Sequence, residues 1–277
     1  MSTINKNLKL IAASAVLLLG AGVTSNSFAA GVFEVNPNSL TGVSAGSNFF
    51  ADFVNGGSTA RIVNTTGTNY VSNGWIQYTG FQNGGTNIPA FTSQLNNAYG
   101  LYATFSQTFT CPSLLSSSGV SCGVTGISLN LYADIWNGSA SNMDKFTLAS
   151  LAADPTVTDN GANDVLLGNA NIVYSGVAGI NTLGGAFENV NTNFALTSAG
   201  SGYFINPTPF YNLAFSEFNN TSAGIQCSPS CSNATVVAIT GESGGSQFAT
   251  TVPEPATLAL MGLGLLGIGS MSRRRKS

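Results

Sequence analysis

The chain contains no histidine and few charged residues. Asp, Glu, Lys and Arg make up 7% of its 277 residues, well below the ~25% that is usual for soluble domains. The absence of histidine removes the commonest general base and the commonest zinc ligand. It therefore argues against serine or cysteine hydrolase chemistry, in which a histidine takes the proton of the nucleophile.

Basic side chains are scarce outside the two ends of the chain. Residues 30–251 carry ten acidic side chains against two basic ones, Arg61 and Lys145, which gives a formal net charge of −8. Such a surface repels phosphate backbones, so we expect no nucleic-acid binding. Asn, Ser, Thr and Gly supply the polarity instead, and 43% hydrophobic residues predict an ordered core rather than a disordered chain.

The first 29 residues have the pattern of a secretory signal peptide. Lys6 and Lys9 precede an apolar run, Leu10–Val23, and Ser27 and Ala29 place small residues at the −3 and −1 positions. The run is too short and wrongly flanked for a stable membrane span. We predict cleavage after Ala29, so that residues 1–29 lie outside the fold.

The other end of the chain combines a short motif, an apolar run and a basic tail. The motif is Pro253-Glu254-Pro255, and the 16-residue run Ala256–Met271 follows it. As a helix this run would span ~24 Å, slightly less than a ~30 Å hydrocarbon core. The tail holds four cations that would stay on the cytoplasmic side: Arg273, Arg274, Arg275 and Lys276. These features predict one C-terminal transmembrane helix with a basic stop.

Together the motif, the span and the tail of residues 252–277 resemble the PEP-CTERM sorting signal of Gram-negative bacteria. The resemblance implies that Pro253, Glu254 and Pro255 form a recognition motif for an exosortase, the enzyme that processes such proteins. It also implies export through the inner membrane, transient anchoring there, and delivery to the cell surface or the extracellular matrix.

Residues 30–251 carry the period-two alternation of half-buried strands. Leu101–Thr110 and Ile127–Trp136 place apolar side chains at every odd position except 107, and we predict that these two strands pair or lie close. Weaker strand candidates are separated by Asn-Gly and Gly-Gly turns: 49–54, 61–63, 70–81, 145–151, 164–174, 193–197, 210–218, 234–242 and 247–251. One short helix is expected near Thr92–Ala98. The pattern predicts a single all-β domain, an antiparallel two-sheet β-sandwich of jelly-roll type.

Four cysteines form two pairs that are close in sequence. An exported chain meets an oxidising compartment, where disulfides form. Of the three pairings that four cysteines allow, the local one, Cys111–Cys122 with Cys227–Cys231, is the simplest. The alternative is a metal site, which the absence of histidine disfavours.

The loop between residues 154 and 164 is rich in Asp and Asn. Asp154, Asp159 and Asp164 offer hard oxygen ligands at short spacing, as a calcium site requires. The spacing is not that of an EF-hand, and Asp and Asn also favour plain turns. Calcium is the one cofactor that the sequence suggests, and the plain turn is the alternative.

Trp75, Trp136 and Tyr132 are candidates for a sugar-stacking platform. Tyr132 and Trp136 fall on the polar face of their predicted strand, which favours exposure. The alternative is that the aromatic rings are buried against a loop or a second sheet.

Several stretches of the mature region resemble the flocculation-associated subgroup of PEP-CTERM proteins: 75–81, 101–111, 164–168, 184–196 and 210–222. This resemblance implies a non-enzymatic role in floc or biofilm formation together with exopolysaccharide. Two alternatives stay open. One is a carbohydrate-binding module for that polysaccharide. The other is a secreted glycosidase, for which Glu188 and Glu217 are candidate carboxylates.

Overall fold

The structure is a computed structural model that describes residues 31–45, 47–116, 119–136, 139–219 and 224–249; for 213–219 and 242 it describes the backbone alone. All of these residues belong to one compact unit, Ala30–Thr251. The predicted signal peptide and the predicted transmembrane helix lie outside the described residues. No helical segment in the described part of the chain has the length and hydropathy of a membrane span.

Strands dominate the described residues, with two short α-helices and two single-turn 3-10 helices, Pro37–Ser39 and Ala140–Asn142, between them. The α-helices are α1 (Ala90–Ser93) and α2 (Ser198–Tyr203). The strands are β1 (Phe33–Val35), β2 (Phe49–Ala51), β3 (Phe53–Thr66), β4 (Asn69–Asn83), β5 (Thr86–Asn87), β6 (Tyr99–Thr110), β7 (Val120–Ile135), β8 (Lys145–Phe146), β9 (Val157–Thr158), β10 (Asp164–Ala170), β11 (Val173–Ile180), β12 (Ala186–Asn193), β13 (Ala195–Leu196), β14 (Phe204–Asn206), β15 (Leu213–Asn219), β16 (Ile225–Ser228) and β17 (Val236–Ala249).

Eight strands form one antiparallel sheet that closes on itself. Their order is β11-β12-β15-β17-β3-β4-β6-β7, and β11 also pairs with β7. The strand β7 can serve three neighbours because its first residues pair with β11 and its last ones with β10, while β6 lies along its other edge. The remaining strands extend or flank this ring, as β10 and β13 do beyond β7.

The prediction of an all-β, antiparallel fold is confirmed, and residues from opposite walls face a common interior as in a sandwich. The jelly-roll connectivity is wrong, however. Neighbours in the ring follow one another in chain order, with other elements inserted between some of them, above all β8–β10 between β7 and β11, and the last strand, β17, pairs with β3. Continuous pairing between β11 and β7 also joins the two walls at an edge that separate sheets would leave open.

The two strongest predicted strands pair as expected. In the register of β6 with β7, Phe105 lies opposite Leu129, and Ala103 lies opposite Leu131. Most apolar odd positions of both strands enter the main core, since alternate side chains share one face of a strand. The main core also contains a group of aromatic rings in edge or tilted contact: Phe33, Phe194, Phe204, Phe210 and Phe248.

Some weaker predictions needed correction. The segments 234–242 and 247–251 belong largely to one strand, β17, because Gly241 takes a φ of 74° at a bulge that keeps the strand in register with β3. The helix expected near Thr92–Ala98 is the four-residue α1, which begins and ends earlier. The segment 145–151 contributes only β8, and β12, β16 and α2 have no counterpart among the predictions.

A second core surrounds the first disulfide. Cys111 and Cys122 are bonded, as are Cys227 and Cys231, so the predicted pairing is present in the structure. Cys111 and Cys122 are buried with Tyr70, Phe109 and other apolar side chains. The bond closes the loop between β6 and β7 and would contribute about 3 kcal/mol in the chain-entropy account.

The segment 139–163, which we call the excursion, covers the outer face of the sheet. It connects β7 to β10 and contains β8 and β9. Polar contacts fasten it to β3 and β4: Trp75 Nε1 donates to Thr147 O (2.8 Å), the Ala149 amide donates to Thr59 Oγ1 (3.0 Å), and Arg61 forms an ion pair with Asp154 (3.0 Å). The excursion buries a face that the strand pattern alone predicts to be exposed.

Candidate functional site

Three aspartates meet where the excursion joins the sheet. Asp134 lies near the end of β7, and Asp164 begins β10 directly opposite it. Asp144 lies in the excursion just before β8. One carboxylate oxygen from each residue lies within 4.8 Å of the other two. We call Asp134, Asp144 and Asp164 the aspartate cluster.

Hydrogen bonds hold the aspartate cluster in place. The backbone amide of Asp144 donates to Asp134 Oδ2 (2.9 Å), and that of Asn160 donates to Asp144 Oδ1 (3.1 Å). Asn163 Nδ2 donates to Asp134 Oδ1 (2.9 Å), and Tyr102 donates its hydroxyl proton to Asp164 Oδ2 (2.5 Å). Donors from β6 and from the excursion therefore fix the directions of the carboxylates.

Three buried oxygens at this site accept no hydrogen bond from any described residue: Asp144 Oδ2, Asp164 Oδ1 and Asn163 Oδ1. The orientation of the Asn163 amide is set by its Nδ2, which faces two acceptors, Asp134 Oδ1 and Ile135 O. Tyr102 and Asp164 both lie near enough to Asp144 to favour its charged form by hydrogen bonding. Tyr102 has one hydroxyl proton, however, and gives it to Asp164 Oδ2, so a protonated Asp164 is the side chain that can supply a proton to Asp144 Oδ2. When Asp144 and Asp164 are both ionised, Asp144 Oδ2 and Asp164 Oδ1 are two buried acceptors without a proton between them.

The surroundings of the aspartate cluster favour the neutral carboxyl forms. Burial raises the pKa of Asp164 to about 7, the charges of Asp144, Asp159 and Asp134 act in the same direction, and the bond from Tyr102 opposes them. Burial also raises the pKa of Asp134 and of Asp144. Asp134 is 2% exposed and Asp144 is 8% exposed, so solvent screens their charges little.

The predicted calcium ligands do not come together as one group. Asp154 pairs with Arg61 and accepts a bond from Asn73 Nδ2 (3.0 Å). Asp159 Oδ1 accepts hydrogen bonds from the backbone amides of Gly161 and Ala162. This is the pattern of a plain turn, the alternative to a calcium ligand. Of the three predicted residues, Asp164 alone belongs to the aspartate cluster, and Asp159 lies close enough to act on it electrostatically.

The sequence analysis missed Asp134 and Asp144. Asp134 falls on the polar face of its strand, beside the aromatic residues that drew attention there. Asp144 carries no local signal, because its neighbours in the cluster are 10 and 20 residues away along the chain. The position of Asp134 on the polar face of β7 was the one feature of the sequence that indicated a role for this residue. Its pairing with Asp164 of β10 becomes visible only in the structure.

The predicted sugar-stacking platform is wrong for both tryptophans. Trp75 is 7% exposed and Trp136 is 5% exposed. The ring of Trp75 packs edge-on against Phe146 of β8, under the excursion. The Trp136 ring nitrogen donates to Asn97 O (3.1 Å). Tyr132 is half-buried and stacks on Tyr102, with ring centroids 5.2 Å apart. Phe146 of the excursion covers Trp75 and also contacts Tyr102, on which Tyr132 stacks.

Glu188 lies on the inner side of the ring. It accepts a bond from Gln107 Nε2 (2.8 Å), which joins β12 to β6 across the interior. Two cavities of about 20 and 30 Å³ touch Glu188, and each has room for a water molecule but not for a sugar ring. The side chain of Glu217 lies outside what the structure describes.

A larger open groove of about 310 Å³ lies at the segment that follows α2. Its lining includes the aromatic residues Phe204, Phe210 and Tyr211 together with Pro207 and Pro209. Phe210 and Tyr211 are half-buried, and the hydroxyl of Tyr211 donates to Val32 O (2.8 Å). This volume is at the lower end of the range for small-ligand sites.

The comparison with known families concerns the end of the chain. Residues 251–276 match the PEP-CTERM protein-sorting motif. They lie outside the described residues, and the match implies an exported protein that is anchored in a membrane until an exosortase processes it. No curated protein and no solved structure matches the chain. The resemblance of the mature region to the flocculation-associated subgroup stays a prediction.

Proposed function

We propose that the chain is a non-enzymatic surface protein that promotes floc or biofilm formation together with exopolysaccharide. The observation that carries the proposal is the sorting motif at residues 251–276. Processing by an exosortase places the mature domain outside the inner membrane, among the polymers of the cell envelope. The exosortase and the extracellular polysaccharide are its proposed partners.

The domain has properties that suit such a place. Its sheet is closed by the pairing of residues 177–180 in β11 with β7, so the described ring leaves little of its strand edges free for other chains. Two disulfides cross-link it, which suits an oxidising compartment. Only 7% of the residues are charged, and uncharged Asn, Ser and Thr side chains can hydrogen-bond to neutral polymers.

The arrangement of the acids supports a role without catalysis. Glycosidases need two carboxyl groups ~5–9 Å apart with space for a sugar between them. The oxygens of the aspartate cluster lie within 4.8 Å, and two of the three side chains are at least nine-tenths buried. Glu188 faces cavities of about 20 and 30 Å³. The glycosidase alternative therefore gains no support from either site.

The open groove favours a second candidate function, a carbohydrate-binding module. Aromatic side chains bind the apolar faces of sugars, and Phe210 and Tyr211 offer partly exposed rings in a space of about 310 Å³. This groove replaces the Trp75–Trp136 platform as the place to look for direct recognition of polysaccharide.

Deletion of the gene in its own organism tests the leading proposal. We expect the deletion strain to settle as dispersed cells while it still secretes polysaccharide, and the full chain supplied in trans should restore flocs. A strain that flocculates normally without the protein would overturn the proposal. The Pro253→Ala/Pro255→Ala form serves as the control for sorting, since it keeps the mature domain intact.

Co-sedimentation with purified exopolysaccharide separates the two candidates. Protein released from the cell surface is mixed with the polymer, and Tyr211→Ala is compared with Tyr174→Ala, an exposed tyrosine on β11 outside the groove. Loss of binding in Tyr211→Ala alone would support the carbohydrate-binding module. Equal binding by both variants would contradict the groove as the site of recognition.

A further inference from the structure

The aspartate cluster has the geometry of a site for a hard cation. Ca²⁺ binds oxygen ligands at about 2.3–2.6 Å, so two ligands of one ion lie at most about 5 Å apart. The three carboxylate oxygens meet this limit, since all lie within 4.8 Å of one another. They come from β7, from the excursion and from β10, and thus from three directions around one point.

The cluster also has unused ligand atoms, which is an observation independent of its charge. Asp144 is more than nine-tenths buried, yet its Oδ2 has no donor among the described residues. The atoms Asp164 Oδ1 and Asn163 Oδ1 are also buried and also have no hydrogen-bond donor among the described residues. Leaving a buried polar atom without a partner costs about 1–3 kcal/mol, and more for a charged group. An ion bound by these oxygens would remove that penalty.

No basic side chain in the described ranges neutralises the cluster. The one ion pair found there joins Arg61 to Asp154 on another part of the excursion. Asp134 and Asp164 lie directly opposite each other in the strand pairing, where like charges are destabilising. Three carboxylates held together without a counter-charge require either bound protons or a bound cation.

The chemistry of the ligands selects among cations. The site offers only oxygen atoms, whereas zinc prefers nitrogen and sulfur; the chain has no histidine, and its four cysteines form disulfides. Mg²⁺ dehydrates reluctantly and usually keeps several waters, while Ca²⁺ accepts six to eight oxygens in flexible geometry. A cluster buried beneath the excursion favours the ion that gives up more of its water.

We infer that Asp134, Asp144 and Asp164 form a calcium site that fastens the excursion to strands β7 and β10. The ion enters from the side of Asp164, which is half-buried, and of Asp159, which is exposed. Extracellular calcium modules bind with Kd of about 0.1–1 mM. The inference does not depend on the proposed role in flocs.

The test uses the full chain, exported so that its disulfides form and purified in mild detergent with a chelator. We expect Ca²⁺ at ten times its Kd to raise the Tm by about 3–6 °C, and Mg²⁺ at the same concentration to raise it much less. Tb³⁺, which accepts oxygen ligands as Ca²⁺ does, should show luminescence on excitation of tyrosine, because Tyr102 contacts Asp164. Added Ca²⁺ should displace it.

Matched variants locate the effect. Asp144→Asn and Asp164→Asn should lose both the Tm shift and the Tb³⁺ signal. Asp52 is remote from the aspartate cluster, and its Oδ2 accepts a hydrogen bond from the Gly84 amide. The control variant Asp52→Asn should therefore keep both the Tm shift and the Tb³⁺ signal. Asp164→Asn resembles the protonated acid, so it should remain folded even if Asp144→Asn does not.

Three outcomes would overturn the inference. If neither Ca²⁺ nor Mg²⁺ raises the Tm of the wild-type protein, the carboxylates are neutralised by bound protons instead of a cation. Equal responses in Asp164→Asn and Asp52→Asn would place the ion elsewhere. An equal response to Mg²⁺ and Ca²⁺ would show that the site does not select the larger ion.

Discussion

Asp134 and Asp164 lie directly opposite each other on the antiparallel strands β7 and β10. Each is hydrogen-bonded from a different direction, Asp134 by the Asp144 amide and Asn163, and Asp164 by Tyr102. Two acids in such a pair repel unless a proton or a cation lies between them. The stability of this part of the domain therefore depends on what the compartment supplies.

In the absence of calcium, the protein should lose stability as the pH rises from about 4 to about 7. The pKa of Asp164 is raised from 3.8 to about 7 in the folded state, so folding binds its proton more tightly. That contribution is complete below about pH 4 and is lost as the pH passes through the folded pKa. Thermal unfolding in a chelator between pH 4 and pH 8 measures it. The groups that face Asp164 or act on its charge are Asp134, Asp144, Asp159, Tyr102 and Tyr132.

The variant Asp164→Asn is the matched test of that slope. It cannot ionise, so its Tm should change less between pH 4 and pH 7 than the Tm of the wild type or of Asp52→Asn. A slope equal to that of the wild type would show that other groups carry the pH dependence.

Removal of the first disulfide should destabilise the domain more than removal of the second. Cys111 and Cys122 are 11 residues apart, against 4 for Cys227 and Cys231. The chain-entropy account gives about 3 and about 2 kcal/mol respectively, and the first bond also lies in a buried core. Urea unfolding of the two double Cys→Ala variants measures the difference. Equal losses would contradict the loop-length explanation.

Trp75→Phe should loosen the excursion. The substitution removes the bond from Trp75 Nε1 to Thr147 O but keeps an aromatic ring against Phe146. We expect a loss of about 1–3 kcal/mol in the free energy of unfolding and faster proteolysis within 147–158. Trp136→Phe is the control, since it removes a bond to Asn97 O outside the excursion. Equal proteolysis of the two variants would argue against this role of Trp75.

Pro253→Ala/Pro255→Ala should leave the protein unprocessed in the inner membrane. The double substitution removes both prolines of the matched sorting motif, and with them the restriction that proline places on backbone φ. Fractionation and immunoblotting of the double variant measure the uncleaved form, with Pro37→Ala as a control within the domain. Normal release of the double variant would contradict the assignment of the motif.

The alternation in β6 and β7 was enough to predict two strands, because period two shows which side chains share a face. The short Cys111–Cys122 segment that joins them was the reason to expect that they pair or lie close, and they do pair. The local spacing of the cysteines was enough to predict both disulfides. Alternation does not show what covers a face, and this is why Trp136 and Tyr132 were predicted to be exposed. The excursion that covers Trp75 has little regular pattern of its own.

The sequence by itself determined the class of fold, the disulfide pairing and the sorting segment, because each depends on residues close together in the chain. Only the tertiary structure decided the closure of the ring between β7 and β11 and the meeting of Asp134, Asp144 and Asp164. Both depend on how the long β7 divides its length between β11 and β10. That division is set by packing across the interior and by the excursion over the outer face, which no local pattern records.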